Sequence, residues 1–182
     1  MSRLGDLLAE YENLMSLPWK PGLSGKERVI FLVYDKHEER RMVEMVGEFE
    51  LATKKAHHGW KSIDLSRCFS QWICQQEYKE SYFESPEDLH NILDSEFGDW
   101  VVHLIHEAAA EVGPGDCLAL NGTLGLFGFL RLSNLVEKVA PMVKGHLVVF
   151  FPGRYESNTY HFLDARDGWN YLAIPLTGQG GL

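Results

Sequence analysis

The sequence has few of the features that mark membrane, secreted or DNA-wrapping proteins. Its 182 residues contain three cysteines, Cys68, Cys74 and Cys117, without CxxC spacing. This sparse, odd set favours reduced thiols and predicts a cytoplasmic protein. No apolar run approaches the roughly 20 residues that a membrane helix needs. The first residues also lack a basic region followed by an apolar core, so we expect no signal peptide and no membrane association.

An excess of basic residues is also missing. Lys and Arg number 17 against 26 Asp and Glu, which gives a formal charge of −9. Affinity for DNA comes mainly from cations that neutralise phosphates, so this balance argues against direct DNA binding by the chain alone. Apolar residues make up 45% of the chain and charged residues 24%. These values are ordinary for a globular protein, and the length predicts one domain over residues 1–182 with a flexible tail at 177–182.

Recognisable catalytic motifs are missing as well. A P-loop needs GxxxxGK followed by Ser or Thr, and the nearest candidate, Gly25-Lys26, precedes its strand and is followed by Glu27. There is no GxSxG, and His103 and His106 with Glu107 form neither of the zincin motifs. We therefore predict a protein that is not an enzyme, with no cofactor and no metal site.

What the sequence does contain is an alternation of apolar strands and amphipathic helices. Residues 28–35, 116–120 and 145–151 are apolar runs of the kind buried on both faces of a parallel sheet. Helical spacing of apolar residues marks 5–15 and 37–55. The pattern predicts a single α/β domain with a mainly parallel sheet flanked by helices, with Rossmann-like or P-loop-like layering but no Walker A motif.

Several further elements complete this prediction. A strand is expected at 60–65 and a helix from Ser85 to about 112, with a break near Gly98. A second helix is expected at 127–139. The last strand is expected at 169–176, ending or lying at an edge of the sheet because of Pro175.

Ligands of open parallel sheets bind at the carboxyl ends of the strands. Two segments there could bind an anion. One is a Gly-rich turn followed by a helix that carries an arginine, and the other is a loop after the 145–151 strand. Their candidate residues are Asn121, Gly122, Thr123, Gly125, Arg131, Pro152, Gly153, Arg154 and Tyr155. Backbone N–H groups of the turn, aided by Arg131 or Arg154, would meet a phosphate or carboxylate. The alternative is that the glycines serve tight turns and the arginines pair with nearby acids.

Aromatic residues are concentrated in the last third of the chain: Phe150, Phe151, Tyr155, Tyr160, Phe162, Trp169 and Tyr171. Some must belong to the core. If several are exposed, they would form a protein-binding patch, because exposed aromatic side chains mark interfaces. The sequence leaves both possibilities open.

Four segments in order resemble the BrxB family of BREX phage-defence systems. These segments are the strand Leu23-Ser-Gly-Lys-Glu-Arg-Val-Ile-Phe-Leu-Val-Tyr-Asp35, the stretch Leu120-Asn-Gly-Thr-Leu-Gly-Leu-Phe-Gly-Phe-Leu-Arg131, the strand and loop Leu147-Val-Val-Phe-Phe-Pro-Gly-Arg-Tyr155, and the closing strand Asn170-Tyr-Leu-Ala-Ile-Pro175. Each is weak alone, whereas the ordered set is moderately specific.

The resemblance implies a small α/β protein encoded beside the phosphatase-like protein PglZ and the large ATPase BrxC. It implies a non-catalytic assembly component that binds a PglZ-like partner and perhaps a BrxC-like ATPase, without an established active site. The second hypothesis, which comes from the residues themselves, is a degenerate nucleotide- or anion-binding domain that uses the turn at 121–125 with Arg131 or Arg154.

Overall fold

Strands and helices alternate along the chain in the computed structural model, which describes residues 3–165 and 168–179. In this part the strands are β1 Val29–Tyr34, β2 Gly59–Asp64, β3 Asp116–Asn121, β4 His146–Glu156, β5 Thr159–Phe162 and β6 Ile174–Leu176. The α-helices are α1 Arg3–Ser16, α2 Glu39–Lys55, α3 Cys68–Gln75, α4 Lys79–Glu84, α5 His90–Ile92, α6 Gly98–Ala110 and α7 Leu132–Val139.

The sheet is mainly parallel, in the order β2–β3–β4–β1–β6. In the register of its neighbours, Phe31 of β1 stands opposite Val149 of β4 on one side and Pro175 of β6 on the other. The last residues of β4 pair antiparallel with β5. The predicted α/β fold with a mainly parallel sheet is confirmed.

Helices cover both faces of the sheet because side chains alternate along each strand. Ile30, Leu32 and Tyr34 belong to a buried cluster with residues of α1 and α2. Phe31 and Val33 belong to a second cluster with residues of α3, α6 and α7. All six residues of β1 are buried, which explains why this strand is a continuous apolar run without alternation.

The last strand is shorter than the predicted 169–176. It spans Ile174–Leu176 and lies at an edge of the sheet, where Pro175 is tolerated, as expected. Trp169 forms an isolated antiparallel bridge with Tyr160 instead. The backbone N–H groups of Thr177 and Gly178 each donate to Glu10 Oε2 at 3.0 Å. Residues 180–182 of the predicted flexible tail lie outside the described residues, and the tail stays a prediction.

The predicted helix over 127–139 is wrong in its first part. A 3-10 helix at Thr123–Leu126 ends at Phe127, whose backbone is extended, and Gly128 has φ +84°. The α-helix begins only at Leu132. Arg131 therefore stands immediately before the helix and not one turn inside it. A left-handed glycine interrupts the helical spacing of the apolar residues.

The predicted loop at Pro152–Tyr155 is also wrong, because these residues continue β4. Pro152 stands opposite Tyr34 of β1, and Tyr155 stands opposite Tyr160 of β5. Ser157 and Asn158, with φ of +50° and +61°, form the two-residue turn between β4 and β5. A turn with two left-handed residues matches the twist of a hairpin.

No helix among the described residues is long and apolar enough to cross a bilayer.

Candidate functional site

The glycine-rich turn after β3 packs against the segment that follows β2. Gly122 has φ +64°, and a Cβ atom there would collide with Asp64 Oδ1. A Cβ atom on Gly125 would lie 2.6 Å from the carbonyl oxygen of Ser66 and 2.7 Å from its Cα. Both glycines therefore allow the two chain segments to approach closely, as the structural alternative for this turn supposes.

Two polar groups of the same turn already form hydrogen bonds within the protein. The buried Thr123 hydroxyl donates to the carbonyl of Phe150 at 2.6 Å and ties the turn to β4. The carbonyl of Asn121 accepts from the backbone N–H of Leu65 at 2.9 Å. Anion binding by this turn stays a prediction, and the contacts just described favour a role in packing.

The second group of predicted residues lies in the β4–β5 hairpin. Pro152 and Gly153 are buried in β4. Arg154 is exposed, and its guanidinium lies 3.8 Å from Glu156. The Tyr155 hydroxyl donates to Asn158 at 3.1 Å. Arg154 thus pairs with a nearby acid, which was the structural alternative for the arginines.

A cleft of about 550 Å³ opens beside these segments, between the end of β4, the 127–133 segment and the residues around Leu93. Six of the sixteen described residues that line it carry large aromatic rings: Phe127, Phe129, Phe151, Tyr160, Phe162 and Trp169. The polar side chains that line it are His90, Asp94, Arg131 and Ser133. This volume lies within the range of small-molecule pockets, roughly 300–1,000 Å³.

Of the predicted anion-binding residues, all of which are among the described residues, Arg131 alone lines this cleft. It is exposed and forms no ion pair with another described residue. Arg131 directly precedes α7, and no side chain caps the first turn of that helix. Sequence reasoning missed the cleft because its walls come from five separate segments. Gly128 was the one local signal that the chain leaves the helix there.

The aromatic residues of the last third are mainly core. Phe150, Phe151, Tyr160 and Tyr171 are buried, while Tyr155, Phe162 and Trp169 are half-buried. None of these seven residues is exposed, so of the two possibilities that the sequence left open, a place in the core holds for this region. Phe150 faces α2, with its ring centroid 5.4 Å from that of Phe49, whereas Phe151 and Tyr160 lie in the cluster on the other face of the sheet with their ring centroids 5.8 Å apart.

The most exposed aromatic residues lie in a different place, in or beside α4. Tyr78 is 67% exposed and Phe83 is 60% exposed. They belong to a segment, residues 77–99, that carries eight Asp or Glu and one Lys, and we call it the acidic segment. Among the described residues, only Asp99 of these acids forms an ion pair, with Lys138 at 3.8 Å. Neither α4 nor the 3-10 helix at Pro86–Leu89 contributes a buried residue.

A second polar cluster lies at the amino ends of the strands. The ring of Trp19 stacks on His58 at 3.7 Å between centroids and touches the ring of His146 at 4.0 Å. His146 is 6% exposed, and its Nδ1 has no hydrogen-bond partner among the described residues. Burial, followed by the charge of Arg28 and then by His58, lowers the pKa of His146 to about 4.

This cluster makes stability depend on pH. The unfolded chain, in which the pKa of His146 is near 6.5, takes up the proton more readily than the folded protein. Stability from the neutral ring is thus complete above about pH 6.5 and is lost as the pH falls towards 4. We expect this one group to lower the free energy of unfolding by about 3 kcal/mol over that range, because each pKa unit is worth about 1.4 kcal/mol. Urea unfolding at a series of pH values measures the loss.

The variant His146→Phe is the control for this prediction, since it keeps a ring against Trp19 and removes the titrating nitrogen. The difference in unfolding free energy between wild type and variant should change with pH between 6.5 and 4. Parallel curves for the two proteins over that range would contradict the assignment.

The buried thiols and the histidine pair offer little reactivity. Burial raises the pKa of Cys68 to about 11 and that of Cys117 to about 12, so both remain protonated at neutral pH. His103 is exposed and lies 3.5 Å from Glu107 on the same helix. Among residues 3–165 and 168–179, no three His, Cys, Asp or Glu side chains come together as a possible metal site.

The fold and these surfaces define an α/β protein with a parallel sheet, an aromatic cleft at the carboxyl ends of its strands and an acidic, aromatic-bearing segment beside it. The family model described as "BREX protein BrxB" matches residues 60–176, which is more than half of the chain. The chain therefore belongs to the BrxB family and is a component of a BREX phage-defence system. The resemblance stated from the sequence is confirmed, although the segment 23–35 lies outside the matched residues. No curated protein and no solved structure matches.

Proposed function

We propose that this protein is a non-catalytic assembly component of its BREX system and that it binds a PglZ-like partner, with a BrxC-like ATPase as a further candidate partner. Membership of the BrxB family supports the defence context. The observation that carries the assembly role is the acidic segment with its two exposed aromatic residues, Tyr78 and Phe83. Exposed aromatic side chains are the residues most enriched at the energetic centres of protein interfaces.

The charge of the acidic segment indicates the chemistry of the partner's surface. Glu77, Glu80, Glu84, Glu87 and Asp88 are exposed, and none of them forms an ion pair with a described residue. A basic surface on the partner would neutralise them and would accelerate association at low ionic strength. The aromatic rings would supply the apolar contact at the centre of such an interface.

The absence of enzymatic activity is part of the same proposal. It is supported by the raised pKa values of Cys68 and Cys117, because thiols that stay protonated are poor nucleophiles. The missing P-loop motif and the packing of the turn at 121–125 against Ser66 agree with this view.

The double variant Tyr78→Ser/Phe83→Ser tests the proposed surface. We expect its affinity for the PglZ-like partner, measured by titration calorimetry, to fall by about thirtyfold or more, since loss of an aromatic interface centre costs about 2 kcal/mol or more. The affinity of the wild-type protein should also fall as the salt concentration rises.

The matched control is Val43→Ser/Leu51→Ser, which removes two apolar side chains that are 57% and 58% exposed. Both belong to α2, and this helix packs on the other face of the sheet from α3, α6 and α7. This variant should bind the partner as wild type does. Equal losses in both double variants, or no loss in either, would contradict the assignment of the interface to the acidic segment.

A further inference from the structure

We infer that the aromatic cleft is a binding site for a planar aromatic compound that carries one anionic group. This goes beyond the proposed assembly role, which uses the acidic segment. The cleft holds about 550 Å³ and is lined by aromatic residues from separate segments of the chain, among them Phe127, Phe129, Phe162 and Trp169. Sites with mostly apolar walls and a few fixed polar groups are typical of small-molecule binding.

One wall of the cleft is the indole ring of Trp169, which is half-buried. Its ring centroid lies 5.4 Å from that of Phe31 and 6.1 Å from that of Tyr160. These packed neighbours hold the indole in place, so the cleft offers an aromatic surface on which a planar compound can stack.

The charge of the ligand follows from the residues at the cleft's rim. Arg131 lines the cleft and has no ion-pair partner among the described residues, so its guanidinium can bind a carboxylate, sulfonate or phosphate with two hydrogen bonds. Ser133 and the uncapped first turn of α7 lie beside it. Asp94 also lines the cleft, and its carboxylate would oppose additional negative charge. A single anionic group therefore matches the site.

Two fluorescent dyes test the site directly. The first, 8-anilinonaphthalene-1-sulfonate, is an aromatic anion built on a planar naphthalene ring, and the second, N-phenyl-1-naphthylamine, is the same compound without the sulfonate. We expect the folded wild-type protein to bind one equivalent of the anionic dye. The variant Arg131→Ala should lower the affinity for the anionic dye by about tenfold, because one charge-assisted contact is lost. Its affinity for the neutral dye should stay within about twofold of that of the wild type. Phe127→Ala, which removes a side chain of the cleft wall that is 53% exposed, should lower the affinity for both dyes.

Arg154→Ala is the matched control, since it lowers the net charge by the same amount and Arg154 does not line the cleft. It should leave both affinities unchanged. Melting curves identify variants that do not fold, and Arg131→Lys, which keeps the charge without the guanidinium, should bind the anionic dye with intermediate affinity. Three results would overturn the inference. The first is an equal effect of Arg131→Ala and Arg154→Ala, and the second is binding of several dye equivalents that Phe127→Ala does not change. The third is displacement of the dye by the PglZ-like partner.

Discussion

Replacing Phe31 by alanine is expected to lower the free energy of unfolding by about 3–5 kcal/mol. Phe31 is fully buried in β1. Its ring lies 4.5 Å from that of Tyr160 and 5.2 Å from that of Phe151, measured between centroids. The rings of Trp169 and Tyr171 also pack on it. Removing this side chain leaves a cavity that rigid β-strands and neighbouring rings cannot close.

The loss should be visible as a fall in melting temperature of about 10 °C in a chain of this length, and urea unfolding measures the free energy itself. Phe83→Ala is the matched control, because it removes the same side chain from an exposed position and should change stability by less than about 0.5 kcal/mol. A cost below about 1 kcal/mol for Phe31→Ala would contradict the central position given to this ring. Phe31→Ala should also make the wall of the cleft less rigid, since the Phe31 ring packs on two residues of that wall, Tyr160 and Trp169.

Replacing Gly125 by alanine is expected to lower the free energy of unfolding by about 2–4 kcal/mol. The new Cβ would lie 2.6–2.9 Å from three backbone atoms of Ser66. Backbone atoms cannot rotate away as the end of a flexible side chain can, so the turn after β3 and the segment after β2 would have to separate. Chemical unfolding of the variant measures the cost.

Gly47→Ala is the control for this prediction. Gly47 lies in α2, where a Cβ would meet no atom within 4 Å, so alanine should raise stability by about 0.5–1 kcal/mol through its better helix propensity. If Gly125→Ala were as well tolerated as Gly47→Ala, the turn would not be tightly packed. Its glycines would then be available for the backbone N–H contacts with an anion that the sequence suggested.

The fold could be predicted from the sequence because its strongest signals are local. The unbroken apolar run of β1 is buried on both faces, and the helical spacing of α1 and α2 places one face of each on the sheet. Pro175 correctly marked an edge strand. Once the strands and helices of such a protein are recognised in alternation, the layered α/β architecture follows with little further information.

Two errors concern where a turn or a helix begins. The apolar residues of 127–139 fit a helix, but Gly128 takes a left-handed conformation and moves the helix start to Leu132. Pro152 and Gly153 suggested a loop, whereas Ser157 and Asn158 make the turn four residues later. Asn at a hairpin turn with alternating residues around it is a recognisable signal.

The candidate site was less accessible to sequence reasoning, because it is assembled from distant segments. Arg131 was named as a candidate from the sequence, but residues that line the cleft with it, such as His90, Phe151 and Trp169, lie at least 20 positions away in the chain. Exposure of aromatic residues was also unpredictable. Tyr160 and Tyr78 are the same residue type, yet Tyr160 is buried in β5 and Tyr78 is exposed beside α4.

The most direct test of the assembly role is size-exclusion chromatography with light scattering on a mixture of this protein and the PglZ-like protein of its own BREX system. Both proteins should be purified and shown to be folded, and mixed at roughly 10 μM, where complexes with micromolar or tighter affinity are populated. The proposal predicts one peak whose mass is the sum of the two proteins and which is lost in the Tyr78→Ser/Phe83→Ser variant. Two separate peaks, each with the mass of one protein alone, would contradict it.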